Sequence, residues 1–246
     1  MNVKLVCGFC VINVYTAFTQ NKGEYNNQII DGYRPIWFDL GQKTEYGSKY
    51  SGGLGTYTVK HNPMAIYSPE VEKTFFVYGG TISKEDKYLL CMIGCYDHKT
   101  GMVSKPTVVH DKQGVNDPHD NPALLIDKDG FLWVYIAGRG NHRPGLIYKS
   151  VRPYDITAFQ WEGFKDVMAY PQPRYIQGKG HFLFFTRYDG ERRLFFRTST
   201  DGLNWSNYQQ IASIIAPGET KSGHYQITGQ YGNKLVTTFN RHINGD

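Results

Sequence analysis

One hairpin pattern returns four times along the chain, and few folds accommodate such a period. It reads HNPMAIYSPEVEKTFFVYGG from His61, DNPALLIDKDGFLWVYIAGR from Asp120, PQPRYIQGKGHFLFFTR from Pro171 and GHYQITGQYGNKLVTTFNR from Gly223. Pro63, Pro122 and Pro173 are separated by 59 and 51 residues, and Tyr225 follows Pro173 by 52. Each unit is an apolar run, a turn containing Gly or Pro, and a second apolar run, which is the signature of two antiparallel strands. KYLLCMIGCYD, GLIYKSV and RRLFFRTS add strands between the hairpins, so each unit becomes a sheet of three or four strands. Sheets repeated at this period predict an all-β chain, a β-propeller of four-stranded antiparallel blades. A β-sandwich would also suit a chain that is 15% aromatic with 27 glycines, but it gives no reason for a repeated hairpin.

About four blades are expected, the last of them incomplete, because the chain stops at FNRHINGD directly after a second strand. The chain therefore reads as a fragment of a longer propeller. Residues 1–19 carry a lysine followed by a short apolar run from Leu5 to Ala17, and read as a secretory signal. Residues 20–51 read as an N-terminal segment with strand character in YRPIWFDL, and residues 52–246 as the propeller. Secretion to the exterior or periplasm follows as an expectation. Cys91 and Cys95 lie four residues apart along one strand, roughly 13 Å, which is too far for a disulfide. The formal charge of +5 favours an anionic partner. No Lys/Arg-rich run or zinc-ligand spacing suggests nucleic acid, no segment is long enough to span a bilayer, and a monomer is expected.

In a propeller the first strand of each blade lines the axis, so the starts of the first strands and the ends of the second strands converge on one face. The starts are His61, His119 with Asp120 and Asn121, Tyr170, and His224 with Tyr225. The ends are Gly79 and Gly80, then Arg139, Arg187 and Arg241, with Asn141, His142, Tyr188 and His242 beside them. Arginine forks onto carboxylates and sulfates and stays charged, while His and Tyr carry protons. The rim lacks obvious paired carboxylates, although Asp120 and Asp189 are candidates, which argues against ordinary glycoside hydrolysis. The set fits β-elimination from a uronate, in which Arg neutralises the carboxylate and His or Tyr moves the protons.

STDGLNWSN, residues 199–207, matches the Asp-box of the bacterial neuraminidase (BNR) repeat, with Ser199, Asp201, Gly202 and Trp205 in its places. Its role there is structural: Asp binds turn amides and Trp packs inward. HDNPALLIDKDG, GRGNHRPG, YPQPRYI and FFTRYDG resemble the BNR-repeat propellers that include ulvan lyases and related polysaccharide lyases with seven blades. The resemblance covers residues 52–246 and is strongest from 116 to 206. It implies catalytic His119, His142, Tyr170 and Arg187, with Arg187 on the carboxylate, Tyr170 and His119 as the acid/base pair in an order left open, and His142 positioning the sugar. Asn121, Arg139, Asn141, Tyr188, Tyr225, Arg241 and His242 would bind an acidic polysaccharide. No metal or other cofactor is expected. The Asp-box, with Arg34–Pro35 in GYRPIWF, also suggests a sialidase-like hydrolase, although no Tyr/Glu nucleophile pair is evident. A carbohydrate-binding propeller without catalysis would keep the same arginines and aromatics.

Overall fold

Alternation of apolar side chains, interrupted by Gly at the turns, dictates strands, and strands are what the computed structural model shows. It describes residues 34–35, 43–44, 47–48, 61–81, 89–115, 117–188, 192–212, 214–219 and 222–243. The expected signal segment lies outside these residues. Between residues 20 and 51 only three short strands are described: β1 (Arg34–Pro35), β2 (Lys43–Thr44) and β3 (Gly47–Ser48). Then follow β4 (Ala65–Ser68), β5 (Lys73–Thr81), β6 (Leu90–Asp97), β7 (Met102–Val103) and β8 (Thr107–Asp111). A short 3-10 turn at Pro118–Asp120 leads into β9 (Pro122–Ile126), β10 (Leu132–Ile136), β11 (Gly145–Ser150) and β12 (Phe159–Asp166). The rest is β13 (Ala169–Ile176), β14 (Gly180–Tyr188), β15 (Arg192–Ser199), β16 (Gln209–Ala212), β17 (Ser222–Tyr231) and β18 (Lys234–Ile243).

The four repeated hairpins are the pairs β4/β5, β9/β10, β13/β14 and β17/β18, all antiparallel. Three of them extend into four-stranded antiparallel meanders, β4-β5-β6-β8, β9-β10-β11-β12 and β13-β14-β15-β16. β17/β18 joins β15 through one parallel pairing, Arg192 with Gly223. The DKDG turn closes as its residues require: Gly130 takes φ +82, and Asp127 Oδ1 accepts the amides of Asp129 and Phe131 at 2.9 Å each. Asp201 does the same after β15, accepting the amides of Leu203 and Asn204 at 2.8 Å. Trp205 packs on Tyr135, Phe164 and His181.

The middle sheet explains why its strands are apolar at every position. Leu124, Leu132, Val134 and Ile136 pack toward the first sheet with Phe75, Val77, Cys91 and Ile93. Their neighbours Ala123, Leu125, Trp133 and Tyr135 pack toward the third sheet with Leu183, Phe185 and Phe195. Both faces are covered, so neither can be polar. Cys91 and Cys95 are free and buried in this core.

The first strands of successive units lie side by side, β4 against β9, β9 against β13 and β13 against β17. Hydrogen bonds tie them: Leu124 N–H to the Pro63 carbonyl at 2.8 Å, and Asn62 N–H to that of Pro171 at 3.4 Å. The buried Arg174 donates to the carbonyls of Asn62 and Pro173 at 2.7 Å and to that of Thr228. Gln172 exchanges bonds with the backbone of Gln226 and Thr228 at 2.8 and 2.6 Å. Among the described residues no helix is long and apolar enough to cross a membrane.

Candidate active site

Because the first strands converge, residues more than fifty positions apart meet at their starting ends. Tyr170 stands at the centre. A bulge in β13 between Ala169 and Gln172 puts Tyr170 at φ +51, a conformation that costs a bulky residue roughly 1–3 kcal/mol. Bulges re-aim side chains, and this one turns the buried ring of Tyr170 into a group of aromatic and basic partners. Its hydroxyl lies 2.8 Å from that of Tyr188. Its ring is 5.5 Å from Tyr225, 5.7 Å from His61 and 5.8 Å from His119, centroid to centroid.

Basic groups close the arrangement. Arg192 donates to the Tyr225 hydroxyl at 2.6 Å, and its guanidinium lies 4.9 Å above the Tyr225 ring and 5.6 Å from that of Tyr188. The guanidinium of Arg139 also lies 5.2 Å from the Tyr188 ring and is partly exposed. Burial raises the pKa of Tyr188 despite these neighbours, so its phenol stays protonated at neutral pH. His61 is fully buried and donates from Nε2 to the His119 carbonyl at 2.9 Å, pinning the chain just ahead of β9.

Behind His119 lies an ionic chain that runs from the partly exposed Arg143 to the buried Asp120 and Lys112. Asp117 accepts from the ring and backbone of His119 and from Arg143 at 2.7 Å, with Arg139 at 3.7 Å. Burial opposes its ionisation, but these bonds prevail and its pKa is lowered. Arg143 also reaches Asp120 at 3.3 Å, and Asp120 pairs with the buried Lys112 at 2.9 Å. Burial raises the Asp120 pKa, while Lys112 and Arg143 pull it back. Asn121 is buried next to this chain and fills the space left by Gly79, where an added Cβ would stand 2.4 Å from Asn121 Oδ1.

Among the residues expected from sequence, His119, Tyr170, Tyr188, Tyr225 and Arg139 come together, with Asn121 behind them. Others do not join them. Arg187 is next to Tyr188 on β14, and alternation sends it to the opposite face, where its guanidinium lies 4.1 Å above Tyr208 and 5.9 Å from Phe195. Arg192, opposite Tyr188 in the register, is the arginine that lies against Tyr188 and Tyr225. Asn141 and His142 are exposed on the turn after β10, and it is Arg143 that points inward. Arg241 is engaged by Glu219 and by the Ile214 carbonyl at 3.3 Å. The side chain of His242 lies outside the described residues. Among the described residues no group of three or more His, Cys, Asp or Glu could hold a metal ion.

Known proteins show a matching arrangement of strands. No family model matches the chain. An alignment 156 residues long, which covers 50% of this chain and 29% of the relative, is 28% identical to the ulvan lyase PL25 of Pseudoalteromonas sp. (strain PLSV). Two solved structures of a PL25 ulvan lyase, one bound to -[GlcA(1-4)Rha3S]-, superpose on 77% and 78% of the chain with TM-scores of 0.65 and 0.66 at 20% identity. The chain shares their fold. It is also similar to the polysaccharide lyase Uly1, with a TM-score of 0.55 over 88% of its length at 18% identity. The chain spans 47% and 49% of the two PL25 structures and 57% of Uly1.

Proposed function

We propose that this chain is the site-bearing part of a secreted polysaccharide lyase that cleaves a sulfated, uronate-containing polysaccharide by β-elimination. Its sheets are read as propeller blades, a reading supported by the four-fold hairpin repeat and by first strands linked through Arg174 and Gln172. The observation that carries the function is Tyr170, held at positive φ with its hydroxyl on Tyr188 and its ring between His119 and Tyr225.

In the proposed reaction Arg192 and Arg139 receive the uronate carboxylate and draw charge from C5. One member of the Tyr170/His119 pair takes the C5 proton. Its electron pair forms the C4–C5 double bond, the C4–O bond breaks, and the other member protonates the departing oxygen. Among the described residues, the two carboxylates beside His119, Asp117 and Asp120, are committed to Arg143 and Lys112, which argues against their serving as the acid pair of a hydrolase.

The test is ultraviolet absorbance of unsaturated uronate released from ulvan, pectin, alginate and glycosaminoglycans. A rise that disappears in His119→Ala and Tyr170→Phe supports the lyase. Folded protein that binds one of these polymers without a rise would replace it with a binding propeller.

A further inference from the structure

The residues that set the working state of His119 are Asp117 and Arg143, neither of which is called for by the acid/base pair itself. Asp117 Oδ1 sits against His119 Nδ1 and also accepts the His119 backbone N–H at 3.0 Å. One carboxylate oxygen thus holds the ring and the backbone of the same residue, which restrains both its torsion and its tilt. Oδ2 is held in turn by Arg143 at 2.7 Å. Arg143 is fixed by its second partner, the fully buried Asp120, and Asp120 by Lys112, which donates to the Ala137 carbonyl at 3.1 Å. The chain of contacts therefore runs from the sheet core to the imidazole without a freely rotating link.

We infer that Asp117, clamped by Arg143, is a positioning residue that keeps the proton of neutral His119 on Nδ1 and leaves Nε2 as the nitrogen that exchanges a proton with substrate. A carboxylate at Nδ1 can only accept, so the ring must donate there. The lowered pKa of Asp117 agrees with an ionised acceptor. His61 is a second constraint on the same residue, since its bond to the His119 carbonyl also fixes the backbone. Catalysis rests on the lyase reading above, but the tautomer does not.

Long-range proton–nitrogen NMR of the histidine rings, assigned with His119→Gln, reads the tautomer directly in the whole chain at a pH where the ring is neutral. Wild type is expected to show the Nδ1–H form, Asp117→Ala to shift the ring toward Nε2–H, and Arg143→Met to weaken the preference while the fold persists. Kinetically, Asp117→Ala should lower kcat by about 10²-fold, within the range general acid–base groups supply, with KM changed less than about threefold, and Asp117→Glu should restore part of it. A wild-type Nε2–H ring, or an Asp117→Ala ring with the wild-type tautomer, overturns the inference. If no substrate is turned over, the lyase reading falls while the NMR result still decides this one.

Discussion

Replacing Gly79 by alanine probes how tightly the site is braced. The glycine lies near the end of β5, the second strand of the first repeat, where the later repeats carry arginine. An added Cβ would lie 2.4 Å from Asn121 Oδ1 and 2.7 Å from Leu89 Cδ1. Asn121 is 2% exposed and Leu89 fully buried, so neither can swing into solvent and the clash must be absorbed by core displacement. Overpacking of this kind costs about 1–3 kcal/mol, and with a urea slope of about 2 kcal/mol/M the midpoint should fall by about 1 M. Because Asn121 is two residues from His119, kcat should fall too. The double variant Gly79→Ala/Asn121→Ala removes the closer clash, so its loss of stability should be smaller than the sum of the single losses. A Gly79→Ala midpoint within about 0.2 M of wild type, or strict additivity in the double variant, would refute the reasoning.

Tyr170→Phe removes only the hydroxyl facing Tyr188; turnover should drop about 10²-fold or more while the urea midpoint moves by less than that of Gly79→Ala. Arg174→Met leaves the carbonyls of Asn62, Pro173 and Thr228 without their donor, and should cost about 3 kcal/mol or more by chemical denaturation; a neutral result would mean water replaces the guanidinium. Burial lowers the pKa of His181 to about 4, below the roughly 6.5 of an unfolded histidine. The unfolded chain then binds the extra proton first, so stability is complete above pH about 6.5 and declines toward pH 4, by about 3 kcal/mol from this group. His181→Gln should flatten that part of the profile in pH-dependent urea unfolding; an unchanged slope would reject the assignment.

The hairpins were legible because period-two apolar runs and Gly-bearing turns are local signals. The turns at Asp127 and Asp201 close through bonds within a few residues, so spacing alone identified them. Convergence of His119, Tyr170 and Tyr225 followed from overlaying the repeats. Choosing between Arg187 and Arg192 required knowing which face of β14 points to Tyr170, and a bulge in the paired strand β13 upsets that parity. His142 and Arg143 are neighbours on a turn, where no periodicity says which one points inward. Arg241 looked available until Glu219, distant in sequence, claimed it. Asp117 had a readable cue, since Asp two residues ahead of a backbone N–H is the spacing of an Asx turn. Its second bond, to the ring, has no sequence signature.

His61, His119, Tyr170 and Tyr225 stand at the starts of the four repeats, with His61 and Tyr225 164 positions apart, and the proposed centre needs them together. Such a centre has no partial form. During refolding, tryptophan burial within the second and third sheets can be complete while the His61 or Tyr225 segment is still undocked, and non-local pairing is the slow part of folding. Regain of turnover should therefore lag behind fluorescence, which makes activity the stricter measure of whether the chain has finished folding.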